Sequence, residues 1–188
     1  MPLGRRIEWS RTGPTAIRFR QRKRWATAEV LPDQIALRWA PECPATVRAG
    51  LRQAVQVRVA PGVDVTLLEV QGGPAAVDLW RRLEELHAAG RLRFATPMLR
   101  DRESGLRQIL TDEITVRWTA GQQVTGGLER LRRSLAVSLV RRSEFVERQC
   151  VVRLERAFGL ATLEAAEAID GLPEIEFAAA NFISWADR

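Results

Sequence analysis

The sequence predicts an α+β protein built from two tandem copies of one small unit. An internal repeat comes first. Asp33 to Ala40 reads DQIALRWA and Asp112 to Thr119 reads DEITVRWT, with Asp, Ile, Arg and Trp identical at an offset of 79. Two later matches keep the same order: Gly90 with Gly171 at 81, and Phe94-Ala95 with Phe177-Ala178 at 83. The drift fits two short insertions in the second copy, one of them near Leu172-Pro173. The third observation is that hydrophobic spacing alternates between strand and helix periods in the same order in both halves.

In copy one, Gln34 to Trp39 reads as a strand. Ala45 to Arg52 is a short helix after Pro44, a residue suited to a helix start. Val55 to Val59 alternates apolar and polar, Pro61-Gly62 turns the chain, and Val63 to Val70 returns. Ala75 to Ala89 carries one stripe of Leu79, Trp80, Leu83 and Leu86, with Gly90 as its cap. Leu92 to Leu99 closes the unit.

Copy two repeats the order. Ile114 to Trp118 alternates, and Val124 to Leu135 has helical spacing. Leu135 to Val140 and Val146 to Leu154 read as paired strands. Leu160 to Ile169 is a helix capped at Gly171, and Ile175 to Phe182 is a last strand. The order β-α-β-β-α-β is that of a ferredoxin-like sandwich, a four-stranded antiparallel sheet with two helices on one face. The expected fold class is therefore α+β, with two tandem ferredoxin-like sandwiches with antiparallel sheets. The expected boundaries are a basic arm over 1–32, copy one over 33–99, a linker over 100–111, copy two over 112–183 and a tail over 184–188. In copy two, Phe145, Val146, Val151, Val152, Ile175 and Phe177 exceed what one helix-covered face requires. The helix-free face is thus expected to be apolar and to meet a partner.

Composition bounds the chemistry. The chain has 188 residues and a formal net charge of +6. The charge is local: residues 1–25 hold eight basic groups and one acid, while the rest holds 21 basic and 22 acidic groups. No apolar run approaches the roughly 20 residues of a membrane helix, so no membrane span is expected. No secretory signal is visible, which favours the cytoplasm. Cys43, Cys150 and His87, the only residues of their kinds, have no metal-ligand spacing. No metal or cofactor is expected.

The closing segment Glu174 to Phe182, with Phe177, Ala178 and Asn181 in frame, resembles the end of the N-terminal prosegment of subtilisin-like serine proteases, which reads roughly V-x-x-A-E-P-N. Ala179 and Ala180 stand where that family usually has Glu and Pro. The opening strand at Glu113 to Trp118, the stretch Glu144 to Leu154 and the segment Leu99 to Arg107 are also similar to that family. The likeness covers about residues 99–185, and reaches copy one only through the repeat.

The resemblance implies a chaperone and inhibitor. Family prosegments lay a sheet face on two surface helices of the protease and help it fold, while a tail occupies the substrate cleft. It implies docking through Glu144, Phe145, Glu147, Val152 and Phe177, with the carboxylates facing helix N-termini of the partner. It implies a cleft tail of Asn181, Phe182, Ile183, Ser184, Trp185 and Arg188. Phe182 to Arg188 would span at most roughly 23–25 Å when extended. A Ser-His-Asp triad is absent: His87 has no neighbouring glycine, and neither Ser104-Gly105 nor Ser184 has a nucleophile's context. The chain by itself is expected to be non-catalytic.

Two other readings stay open. One is a nucleic-acid-binding module that uses the basic arm, disfavoured because the middle strands carry Val, Leu and Cys where base-stacking aromatics would stand. The other is an adaptor that uses the sheet face for another protein. Ile17 to Arg20 alternates like an edge strand, so the arm is read first as a solvated or sheet-adding extension. Trp39 and Trp118 read as packing residues, His87 as a surface or packing residue, and Cys150 as a small buried hydrophobe.

Overall fold

A computed structural model describes residues 15–52, 56–59, 64–70 and 74–185. The described residues form a mixed α/β fold with one large, mainly antiparallel sheet and four helices. The first half contains β2 (Arg24–Trp39), α1 (Ala45–Arg52), β3 (Gln56–Val59), β4 (Thr66–Glu69), α2 (Pro74–Ala88) and β5 (Leu92–Asp101). The second contains β6 (Arg107–Trp118), α3 (Val124–Leu135), β7 (Val137–Arg142), β8 (Gln149–Leu154), α4 (Ala161–Asp170) and β10 (Ile175–Trp185). β1 (Thr15–Gln21) precedes the first half and covers Ile17 to Arg20, the segment with edge-strand alternation, whereas the short β9 (Ala157–Phe158) in the second half was not anticipated.

Strand pairing is the same in both halves. The first half runs β3-β4-β2-β5, and the second runs β7-β8-β6-β10. The registers also agree. Leu37 faces Ala95, Arg38 faces Phe94 and Trp39 faces Leu92, with an irregularity before the tryptophan. Val116 faces Ala178, Arg117 faces Phe177 and Trp118 faces Ile175, with the irregularity at the same place.

The strands run well past the expected boundaries. β2 reaches back to Arg24 and β6 to Arg107, both outside the units expected at 33–99 and 112–183. Residues 100–111 are a hairpin in which Met98, Leu99 and Arg100 pair with Ile109, Gln108 and Arg107. Its turn is held by Asp101, whose carboxylate accepts from the Ser104 N–H at 2.7 Å and hydroxyl at 2.6 Å. Residues 15–31 are no loose arm either, since β1 pairs with β2 from Thr15↔Val30 to Gln21↔Arg24. The extensions on either side of the β5–β6 hairpin lack the alternation of a half-exposed strand because both faces are covered there. Met98, Leu99, Ile109 and Leu110 are all buried.

Two cores result. Ile35, Leu37, Leu68 and Ala95 meet Leu51, Leu79, Trp80 and Leu83 of α1 and α2. The larger core joins Ile114, Val116, Trp118, Val152 and Ala178 to Leu128 and Leu131 of α3 and to Leu163, Ala166 and Ile169 of α4. It also takes in Ala36 and Phe94 from the first half and Phe19 from β1. An ionic contact crosses the same junction: buried Asp112 receives Arg93 of β5 at 2.8 Å and Arg153 of β8 at 3.3 Å. Asp112 is buried while the two arginines keep partial contact with water, so losing both of them would leave an uncompensated buried carboxylate.

Three stability outcomes follow. Gly127 of α3 lies against the Trp118 indole, where an added Cβ would sit 2.1 Å from Nε1 and 2.9 Å from Cε2. Gly127→Ala gains about 1 kcal/mol of helix propensity, but overpacking a tight contact costs roughly 1–3 kcal/mol. A lower urea midpoint is expected; a raised one would mean that the indole moves aside freely. Phe19→Ala, at a residue only 2% exposed, is expected to cost roughly 3–5 kcal/mol. Deleting residues 1–24 should lower the thermal midpoint still further, whereas a separable arm would leave it unchanged.

Candidate docking site

The loop between β7 and β8 presents the most exposed large apolar side chain among the described residues. Phe145 is 95% exposed. Glu144 and Glu147 beside it are exposed as well. The backbone beneath is tied down. Ser143 N–H donates to Gln149 C=O at 2.9 Å, Val146 N–H to the Ser143 hydroxyl at 3.1 Å, and Gln149 N–H to Val146 C=O at 3.3 Å. Arg148 adopts a left-handed conformation at φ 62°. Its guanidinium donates to the Trp118 carbonyl at 2.9 Å, and the Trp118 N–H donates back to Arg148 C=O at 3.0 Å. The loop is thus bonded to the end of β6.

The remaining expected docking residues separate from it. Val152 is fully buried among the helices and faces away from any partner. Alternation explains this: Val152 pairs with Ile114, and both point to the helix side. Ile175 is buried in the same core. Phe177 points to the other face but lies half-buried beneath the Arg22 guanidinium, 5.4 Å from the ring centroid.

The helix-free face of the second half is correspondingly polar, against the expectation of an apolar one. It carries Glu113, Thr115, Arg117, Gln149 and Arg153, paired strand to strand. Arg117 reaches Glu176 at 3.2 Å and Arg153 reaches Glu113 at 3.2 Å. Val151 on this face is 8% exposed.

The expected tail begins inside the sheet. Phe182, Ile183, Ser184 and Trp185 pair with Leu110, Ile109, Gln108 and Arg107. Asn181 sits at a register shift, where its carbonyl accepts from the Thr111 hydroxyl at 3.0 Å and its side-chain oxygen from Thr115 at 2.7 Å. Phe182 meets Phe19 of β1 at 5.9 Å between centroids. Arg188 lies outside the described residues.

The basic hairpin docks on the second half through a buried carboxylate that the sequence reading did not single out. Asp170, at the end of α4, is fully buried. Arg20 Nε lies 3.2 Å from it and Lys23 Nζ 3.7 Å, and the Ala178 N–H donates to it at 2.8 Å. Lys23 also donates to the Asp170 carbonyl, and the Arg20 N–H donates to Glu167 at 2.7 Å. Only a fold that brings residue 20 against residue 170 reveals this pairing.

The residues weighed for chemistry are in packing positions. His87 lies 5.3 Å from the Phe158 ring. Burial and the nearby Arg156 hold its pKa below the usual histidine value, partly offset by Glu84. Among the described residues no cluster of histidine, cysteine or acidic groups has the grouping of a metal site, and no helix is long and apolar enough to cross a membrane. Trp118 is fully buried and offers no surface to a base. No protein-family model matches the chain, and no curated protein or solved structure matches it.

Burial pushes the Cys150 thiol up to about 11 from an ordinary 9.0, partly opposed by Arg142. Cys43 is buried too. A thiol-reactive dye at neutral pH should therefore label neither cysteine rapidly in the native protein and both in denaturant; rapid native labelling of Cys150 would contradict its placement. The folded value lies above the unfolded one. The stability linked to this group is therefore complete below pH 9.0 and lost as the pH rises through about 11.

Proposed function

We propose that the two halves are tandem copies of one ferredoxin-like unit, and that the chain is a non-catalytic, prosegment-like binder of a subtilisin-like serine protease. On this reading it assists folding of the protease and inhibits it. The duplication is supported by the shared strand order, which numbers 4-1-3-2 within each half, and by the matching register irregularity before Trp39 and Trp118. The binding reading draws on the resemblance of the final segment to subtilase prosegments.

Phe145 carries the proposal. A nearly fully exposed aromatic on a bonded loop costs little further ordering when it enters a pocket, which is the behaviour of an interface anchor. Glu144 and Glu147 on either side would meet the free N–H groups and positive dipole ends of two helices on the partner. The polar helix-free face then serves as a rim of hydrogen-bonding groups around that anchor. The nucleic-acid alternative loses support because Arg20 and Lys23 are engaged by Asp170.

The cleft-occupying element is the end of β10 together with the residues that follow it. β10 ends beside the start of β6 and the Phe145 loop lies beside the end of β6, so the two contacts sit at opposite ends of the sheet. A partner must therefore be engaged along the full length of β6, roughly 35 Å at about 3.3 Å per residue.

The test is inhibition of subtilisin-like endopeptidases, assayed with a chromogenic peptide substrate. Wild-type protein is expected to inhibit at least one of them in a saturable way. Phe145→Asp should weaken inhibition at least about tenfold, the scale of an interface anchor, with an unchanged melting temperature because the side chain is 95% exposed. Undiminished inhibition by this variant, or no inhibition of any such enzyme, would overturn the reading.

A further inference from the structure

A cleft of about 620 Å3 lies over the paired strands β6 and β10. It is lined by Gln108, Thr111 and Glu113 of β6 and by Ala179 to Ser184 of β10. Gln21 and Arg22 at the β1–β2 turn and Arg38 of β2 complete it. Its volume falls in the range of small-molecule sites, roughly 300–1,000 Å3.

The ladder is broken under this cleft. Ala180 pairs with Ile114 and Phe182 with Leu110, so three residues of β6, Thr111 to Glu113, stand opposite Asn181 alone. Bulges re-aim side chains and are common beside binding sites. Asn181 is fixed in place there. Its C=O accepts from the Thr111 hydroxyl at 3.0 Å, and its side-chain oxygen accepts from the Thr115 hydroxyl at 2.7 Å. The Asn181 amide N–H groups are left as donors.

The two cations of the lining are braced as well. The Arg22 guanidinium lies over the Phe177 ring at 5.4 Å, and that of Arg38 over the Phe94 ring at 5.3 Å. Arg38 Nε also donates to the Asp64 carbonyl at 3.0 Å. A guanidinium over a ring is held through its face and keeps the N–H groups of its edge for acceptors. The one acid in the lining, Glu113, accepts from Arg153 at 3.2 Å, so its charge is already compensated.

We propose that this cleft binds a small, hydroxyl-bearing phosphate ester, such as a sugar phosphate. The phosphate meets Arg22 and Arg38, and the hydroxyl groups meet the neutral side chains of Gln21, Gln108, Asn181 and Ser184. A phosphate offers several acceptor oxygens to the guanidinium fork. Amide and hydroxyl side chains both donate and accept, as a polyol requires. A neutral sugar would leave the cations unanswered, and an apolar anion would leave the amides without partners. The inference goes beyond the protease reading and uses no residue of the Phe145 loop.

The test is isothermal titration calorimetry of the full chain with glucose 6-phosphate and glycerol 3-phosphate in a phosphate-free buffer of low salt. Inorganic phosphate, glucose and succinate serve as comparisons. Both esters are expected to bind saturably, and more weakly at high salt. Inorganic phosphate and succinate are each expected to bind at least about tenfold more weakly than glucose 6-phosphate, since several hydrogen bonds are lost together. Glucose is expected to give no binding. Arg22→Asn keeps a residue tolerant of the left-handed φ of 51°. It should weaken both esters about tenfold, the scale of a charge-assisted hydrogen bond, with an unchanged circular dichroism spectrum. Gln108→Leu should weaken glucose 6-phosphate about threefold and leave inorganic phosphate unchanged, because it removes a partner of the hydroxyls alone.

Equal affinity for inorganic phosphate and the esters would reduce the cleft to an anion site and overturn the proposal. Saturable binding of glucose, equal binding of succinate, or no binding of either ester at millimolar concentration would overturn it too. Ester binding that ignores both Arg22→Asn and Gln108→Leu would place the ligand elsewhere on the protein. The titration and the Phe145 inhibition assay fail independently.

Discussion

The fold depends on a seam three residue pairs long. Met98, Leu99 and Arg100 hydrogen-bond to Ile109, Gln108 and Arg107, and so join the last strand of one half to the first strand of the other. Each half is about 70 residues, a size at which a single core leaves little surplus stability. The seam removes that difficulty by making the halves one sheet. Apolar side chains of β5 and β6 are then covered on both faces, and the larger core draws on residues from Phe19 to Ala180. The Arg93–Asp112–Arg153 contact sits at the same junction. Its carboxylate is withdrawn from water and depends on the two half-buried arginines, so it contributes alignment of the halves more than net stability.

The same geometry separates structural from binding surfaces. In each half, one face of the sheet is spent on helices, which takes Val152 and Ile175 into the core. The other face of the second half is neutralised by cross-strand ion pairs. On the proposed reading, association would use the Phe145 loop, anchored by Arg148 to the end of β6, and the end of β10. A rigid loop and a strand edge bind through different physics. The loop contributes desolvation of an aromatic ring, and the edge contributes main-chain hydrogen bonds.

The N-terminal hairpin connects the two. Its tip residues Arg22 and Lys23 both adopt left-handed conformations, at φ 51° and 62°, which turn the chain tightly enough for Arg20 and Lys23 to reach Asp170. Asp170 in turn accepts from the Ala178 N–H, so the hairpin, the end of α4 and β10 are locked by one carboxylate. The cations that look like an arm for nucleic acid in the sequence are thereby divided. Arg20 and Lys23 are neutralised within the fold, while Arg22 faces the cleft.

Much of the secondary structure was legible from local pattern. The helices at 45–52 and 124–135 were predicted to the residue because their apolar spacing is unbroken and their boundaries are marked by Pro44 and by the turn around Gly121. The repeat predicted that Trp39 and Trp118 end equivalent strands, and the registers around them agree. Phe145 was singled out as part of an apolar sheet face, whereas the structure places it on the loop between β7 and β8. Met98 to Arg100 and Arg107 to Leu110 were legible as short extended pieces about a turn, but not as continuations of β5 and β6. The extension at 24–31 was not legible, although Val30-Leu31 and Ile109-Leu110 recur at the same offset of 79 and carried the signal. The side of the sheet on which Val152 falls, the pairing of Arg20 with Asp170 and the pairing of the end of β10 with β6 were decided by the tertiary structure alone. Each depends on contacts between segments far apart in the chain, and local propensity carries no information about which distant strand or charge will arrive.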